Sequence, residues 1–180
     1  CQLAKPLFII SILLLLMSEV CILNASAVQA RLLRLAYEIL EQNCTLDQLI
    51  FIGIDERGYW LAEHLALLLK SRCTIPIRLL AFNQIKSVDS ATSNVELSLT
   101  NRVVFLVDDV LYTGRTLLSA LTQIQQLEPA AVRSVVLIDR GHRLWPIAAD
   151  HVGLVLATTL QEFVSVRFDP STRTFSAFLS

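Results

Sequence analysis

The stretch VVFLVDDVLYTGRT, Val103 to Thr116, decides how this chain is read. Val103 to Val107 is an unbroken apolar run rich in β-branched side chains, which predicts a central strand buried on both faces. The run leads into two carboxylates, Asp108 and Asp109, expected at the strand's carboxyl end. A short loop then carries Thr113, Gly114, Arg115 and Thr116 into a helical pattern with Leu117, Leu118, Leu121 and Ile124 on one side. Open α/β sheets bind their ligands beyond the carboxyl ends of the strands. The acidic pair and the TGRT turn therefore stand where a ligand is expected.

The chemistry of the turn narrows the ligand. A helix amino terminus has unpaired N–H groups and a partial positive charge, so it attracts anions. Gly114 allows positive φ and a close backbone approach, making a nest of N–H donors. Thr113 and Thr116 add hydroxyls and Arg115 a charged fork. Ionised Asp108 and Asp109 only accept, so they suit hydroxyl groups or a metal-bound ligand. A phosphate lying close to a diol meets both demands, and a ribose 5-phosphate is such a molecule.

The rest of the chain supports an α/β domain. Asn24 or Ser26 caps a helix whose apolar stripe is Val28, Leu32, Leu35, Ala36, Ile39 and Leu40, ending near Asn43. QLIFIGI (48–54) reads as a buried strand, followed by a loop Asp55-Glu56-Arg57-Gly58 and a helix from about Tyr59 to Lys70. IPIRLLAF (75–82) is the next strand, and residues 83–100 a polar loop containing Lys86 and Asp89. VRSVVLID (132–139) is a further buried strand, with Asp139-Arg140-Gly141-His142 beyond its end. The tail segments VGLVLAT, EFVSVRF and TFSAFLS alternate like short antiparallel strands. His64 and His151 read as structural, and His142 as a side chain satisfying a local hydrogen bond, with a catalytic base the alternative.

With 180 residues the chain has room for one sizeable core. Its formal charge of −1 gives no global attraction to nucleic acid or an anionic membrane. Cysteines at 1, 21, 44 and 73 have no metal-binding spacing and read as free thiols of a reducing compartment, consistent with a cytoplasmic location. The mean hydropathy of +0.57 is raised partly by the first segment. There Lys5 precedes LFIISILLLLM, too short for a spanning helix, which needs roughly 20 residues. With Ala25-Ser26-Ala27 further on, it has the outline of a secretory signal. Met17 is the expected start, with residues 1–16 an upstream extension, 17–180 a single domain, and a membrane anchor the alternative.

VDDVLYTGRT resembles the phosphoribosyl-diphosphate (PRPP) binding motif of type I phosphoribosyltransferases. The version here is similar to that of the bifunctional pyrimidine operon attenuation regulators that are also uracil phosphoribosyltransferases. Three other blocks agree: ILNASAVQARLLRLAYEILEQN from Ile22, GIDERGYWLAEHLA from Gly53 and DRGHRLWPIAADHVG from Asp139. The resemblance implies a central, mostly parallel sheet flanked by helices, with a small hood built from the chain ends. It implies transfer of a nucleobase, uracil or a related base, to PRPP with release of diphosphate, Mg²⁺ accompanying PRPP.

The same resemblance implies roles for individual residues. Thr113, Gly114, Arg115 and Thr116 would hold the 5′-phosphate; Asp55, Glu56, Arg57 and Gly58 the diphosphate; Asp139 and Arg140 the nucleobase. Asp108 and Asp109 would be the catalytic acids, touching the metal only indirectly. In the family the diphosphate loop is often strained, and the region matching 83–100 closes over the reacting centre. Here that region is shorter and lacks the Tyr-Arg-Asp-Asp run of the named branch, with AFNQIKS near its place. A homodimer is implied. RNA is read in the family by a basic dimer face, but the matching positions are Leu33, Tyr37, Ala148 and Leu154, with only Arg143 charged. Phosphate contacts dominate RNA affinity, so this argues against tight RNA binding. Two functions stay open: an enzyme, and a nucleotide-sensing regulator of the same fold. A receiver domain would place its acidic pair after the first strand, whereas this pair follows the third.

Overall fold

The computed structural model describes residues 19–86 and 99–180. The expected extension at 1–16, Met17 and Asp89 lie outside the described residues. Five strands form a parallel sheet in the order β3-β2-β4-β5-β6: β2 (Leu49–Gly53), β3 (Ile77–Ala81), β4 (Val103–Leu111), β5 (Ala131–Asp139) and β6 (His151–Val155). The apolar run from Val103 thus forms the middle strand. Val104 to Val107 are buried, because helices cover both faces of the sheet.

On one face pack α1 (Ala25–Gln42) and α2 (Asp55–Lys70). Asn24 caps α1 by accepting from the Ala27 amide at 2.9 Å, a bond worth about 1 kcal/mol. Val28, Leu32, Leu35, Ala36 and Ile39 recur at helical spacing and are all buried against Phe51 and Phe105, whose rings stack at 5.1 Å. The other face is closed by the short helix α3 (Phe82–Lys86) and by α4 (Arg115–Gln125), which buries Leu117, Ala120 and Ile124 over Ile52, Val104 and Leu106.

A second sheet, β1-β8-β7, joins β1 (Val20–Leu23) to the tail strands β7 (Val164–Asp169) and β8 (Thr174–Leu179). Both its pairings are antiparallel, and Val164, Val166, Phe175 and Ala177 close over α1 and α2. This is the hood built from the two ends of the chain. One tail segment differs from the sequence expectation: β6, which takes in His151 and the start of VGLVLAT, pairs parallel with β5. Alternation alone cannot set direction, and the long 140–150 connection lets the chain re-enter the sheet from the same end. Residues 83–86 likewise finish a helix, and Leu99 is fully buried rather than part of a polar loop.

Candidate functional site

The acidic pair lies inside β4, which runs on to Leu111; it does not follow the strand's end. Parallel pairing with β5 continues past the acids, Val110 opposite Ile138 and Leu111 opposite Asp139, so the ladder holds the extra turn of strand straight. Each carboxylate bonds locally: Asp108 Oδ1 accepts from the Asp109 amide and Asp109 Oδ1 from the Val110 amide, both at 2.9 Å. Burial pushes the Asp108 carboxyl well above its usual range, and the adjacent Asp109 charge adds to this, with Asp55 contributing. Asp109 instead has a cation: Arg57 Nη1 lies 3.3 Å from its Oδ2.

The turn after β4 is shorter than the motif suggested. Arg115 and Thr116 already belong to the first turn of α4, and Gly114 is its amino-terminal cap at φ +82°. Main-chain amides of Leu144 and Trp145 donate to the Thr113 carbonyl at 3.1 and 3.2 Å, fixing the entry. The Thr113 hydroxyl accepts from the Arg115 amide at 3.3 Å. Among the described residues the amides of Gly114, Thr116 and Leu117 make no hydrogen bond, and Arg115 makes no ion pair. Arg115 and Thr116 are exposed. A helix start with free N–H groups, a glycine in the left-handed region and a free guanidinium can hold a dianion.

Residues 55–58 are not a loop but the first turn of α2. The helix starts early because the Gly58 amide reaches the Ile54 carbonyl at 3.1 Å while the Ile54 amide donates to Val107 at 2.8 Å. All peptides among the described residues are trans; the unusual backbone is at Asp55, with φ +54°. Asp55 and Glu56 line an open cavity of about 360 Å³ together with Tyr59, Ala81, Phe82 and Asn83. Arg57 turns away from that cavity toward Asp109 and the Val166 carbonyl of the hood.

The 139–142 segment differs most from expectation. Asp139 is the last residue of β5, is buried, and is used up internally: Oδ1 accepts from the Gly141 amide at 2.9 Å and Oδ2 from Arg143. Arg140 is only 3% exposed. Its Nε donates to Thr158 Oγ1 at 3.0 Å and its Nη2 to the carbonyls of Thr159 and Glu162. Its guanidinium carbon sits 4.1 Å from the centre of the Tyr112 ring. Both side chains are engaged by the protein's own groups, which leaves the backbone of this segment as what could face a base. Tertiary bonding claims both residues first.

The model of the phosphoribosyl transferase domain matches residues 21–166. This chain belongs to the phosphoribosyltransferase family. Among its relatives, the bifunctional protein PyrR of Staphylococcus saprophyticus is 37% identical over 161 residues, covering 83% of this chain and 92% of that protein. The pyrimidine operon regulatory protein of Lactococcus lactis is 39% identical over 152 residues, covering 81% and 88%. In three dimensions the chain is similar to the Leishmania tarentolae HGPRT-ase solved in complex with GMP, at a TM-score of 0.68 and 18% identity, covering 87% of this chain and 94% of that one. The Trypanosoma cruzi hypoxanthine phosphoribosyltransferase in complex with IMP gives 0.65, with 87% and 88% covered. At such low identity these two speak for the phosphoribosyltransferase fold.

Within this fold Arg57 meets Asp109, the TGRT turn follows at the end of the same strand, and Asp139 and Arg140 are buried and bonded internally. Three participants escaped the sequence reading: Tyr112, Thr158 and Glu162, whose partners are distant in the chain. His142 contacts the Thr158 carbonyl, His64 bonds Gln29 at 2.9 Å, and His151 pairs with Glu38 at 2.9 Å, as expected of structural histidines. Cys21, Cys44 and Cys73 are free thiols. No helix among the described residues is long and apolar enough to cross a membrane.

Proposed function

We propose that this chain transfers the phosphoribosyl group of PRPP to a pyrimidine base, uracil or a close relative, releasing diphosphate. The observation that carries this is the juxtaposition on β4 and α4 of two carboxylates and a turn in which the Gly114, Thr116 and Leu117 amides are free. The turn, with Arg115, Thr113 and Thr116, holds the 5′-phosphate. Asp108 and Asp109 accept from the ribose hydroxyls and face the cationic sugar that develops as the bond to diphosphate lengthens. Arg57 fixes Asp109 and lends positive charge to the diphosphate side. The pyrimidine preference is supported by the 39% identical Lactococcus lactis relative, which is named a pyrimidine operon regulatory protein.

Mg²⁺ enters this reading as part of the PRPP substrate. Among the described residues no group of three or more His, Cys, Asp or Glu side chains could hold a metal. The donors present fit an indirect role, since Asp109 is engaged by Arg57. The ion neutralises the leaving diphosphate.

The deciding experiment is diphosphate release from PRPP and Mg²⁺ with uracil, cytosine, orotate, hypoxanthine and guanine offered singly. Turnover with uracil supports the reading; turnover confined to purines, or saturable nucleotide binding without turnover, refutes it. The second outcome would favour the other reading, a nucleotide-sensing regulator; the Lactococcus lactis relative is named a pyrimidine operon regulatory protein. In either reading a homodimer in the cytoplasm is proposed, and sedimentation at micromolar concentration tests the former.

A further inference from the structure

A nucleotide seated with its phosphate at Gly114 and its hydroxyls at Asp108 and Asp109 must project its base toward one flank of β4. The β2 flank presents Asp55 and Glu56, exposed carboxylates unsuited to an uncharged ring. Beyond β6, on the other flank, residues 156–163 leave the carboxyl end of the sheet. Leu160 and Phe163 are exposed there, at 76% and 61%. A flat, uncharged ring suits apolar side chains with backbone polar groups nearby.

Little in the segment holds itself in place. Residues 156–163 form no strand or helix. The Leu156 amide reaches the Asp139 carbonyl at 2.8 Å at one end, and Phe163 exchanges bonds with Ser180 at the other. Between these ends, three N–H groups of buried Arg140 gather Thr158 Oγ1, the Thr159 carbonyl and the Glu162 carbonyl. The guanidinium also lies over Tyr112, the residue immediately before Thr113. His142 adds a contact to the Thr158 carbonyl, and Glu162 Oε2 accepts from the Thr159 amide at 2.6 Å.

We propose that Arg140 is a positioning residue for nucleobase selection, holding residues 158–162 at a set distance from the phosphate turn by way of Tyr112. This rests on the function proposed above and adds the determinant of base affinity. Arg140 touches no ligand; its planar fork sets the spacing between the wall that meets the base and the turn that meets the phosphate. Lysine keeps the charge but cannot reproduce the fork or the ring stacking.

The test compares equilibrium dissociation constants of uridine 5′-monophosphate and ribose 5-phosphate, whose ratio isolates what the base contributes. Arg140→Lys should raise the ratio of the uridine 5′-monophosphate constant to the ribose 5-phosphate constant about tenfold, while ribose 5-phosphate binds within about twofold of the parent. Thr158→Val, which removes one acceptor at nearly constant volume, should shift the ratio in the same direction by a smaller factor. Tyr112→Phe, which keeps the ring, should leave the ratio unchanged. An unchanged ratio in Arg140→Lys and Thr158→Val overturns the proposal. Equal weakening of both ligands also overturns it, since that marks a merely structural role. If the parent protein binds neither ligand, the proposed function fails, and this inference falls with it.

Discussion

A β-carbon placed on Gly58 would lie 2.5 Å from the carbonyl oxygen of Val107. The first turn of α2 is pressed directly onto the middle strand, one residue before Asp108. No flexible side chain stands between them, so nothing can yield. The same contact lets the Ile54 amide bond Val107 and sets Arg57 within reach of Asp109.

Gly58→Ala should therefore be costly. The overlap is with backbone, and overpacking of this kind costs about 2–3 kcal/mol. Urea denaturation should show the loss, and diphosphate release should fall further than stability alone explains, because Asp109 loses its aligned cation. An alanine variant with parental stability would contradict the packing described.

Asp108→Asn should stabilise the protein at neutral pH. An acid held above its ordinary value of 3.8 is disfavoured in its charged form by folding. The native state then binds the proton more tightly than the unfolded chain. Parental stability should fall as pH rises from about 4 through the raised value, and stay reduced above it. The asparagine variant should lack that decline and gain about 0.5–2 kcal/mol at neutral pH, with transferase activity lost. Urea midpoints across the pH range check this.

Gly114→Ala has room for its methyl, since the nearest atoms are Ile147 Cβ at 3.6 Å and Trp145 Cβ at 3.7 Å. The cost is conformational: φ +82° disfavours a side chain by about 1–2 kcal/mol. Relief of that strain would rotate the free amides away from an anion. Trp145 fluorescence, isolated by Trp60→Phe, should respond to ribose 5-phosphate in the parent and weakly or not at all in the alanine variant.

RNA retention should be weak. Tyr37, at an RNA-reading position by resemblance, is exposed but uncharged, its hydroxyl accepting from Arg72 Nε at 3.3 Å. Arg143, the one charged residue kept, is paired with Asp139. A filter-binding assay with pyrimidine-leader RNA should show salt-sensitive retention only. Nanomolar binding at physiological salt would overturn this.

His151→Ala should separate stability from function. The ring is buried at the seam of α1 and β6, bonded to Glu38, which also pairs with Arg34 at 3.0 Å. Losing it should cost about 2–4 kcal/mol, chiefly through the cavity left at that seam, since Glu38 keeps Arg34. The dissociation constant for ribose 5-phosphate should stay as in the parent, measured well below the denaturation midpoint.

Local chemistry made much of the site legible. The TGRT turn is where it was expected because a glycine between a strand and an amphipathic helix has few other uses, and free amides follow from any helix start. Misplaced boundaries had a common cause. Asp108 and Asp109 look like the end of a strand, and Asp55 to Gly58 like a loop, because polar residues interrupt apolar runs. Yet the β5 ladder extends one segment and the Val107 carbonyl nucleates the other, and neither partner is near in sequence.

By itself the order of residues determined which segments form strand and helix and that a glycine turn with unpaired amides joins β4 to α4. Those are consequences of side-chain period and backbone freedom, which act over a few residues. Only the folded chain decided that Arg57 faces Asp109, that Asp139 and Arg140 are spent as scaffold, and that β6 runs parallel. A buried charge takes whatever partner the packing places beside it, and a partner tens of residues away leaves no mark on local sequence.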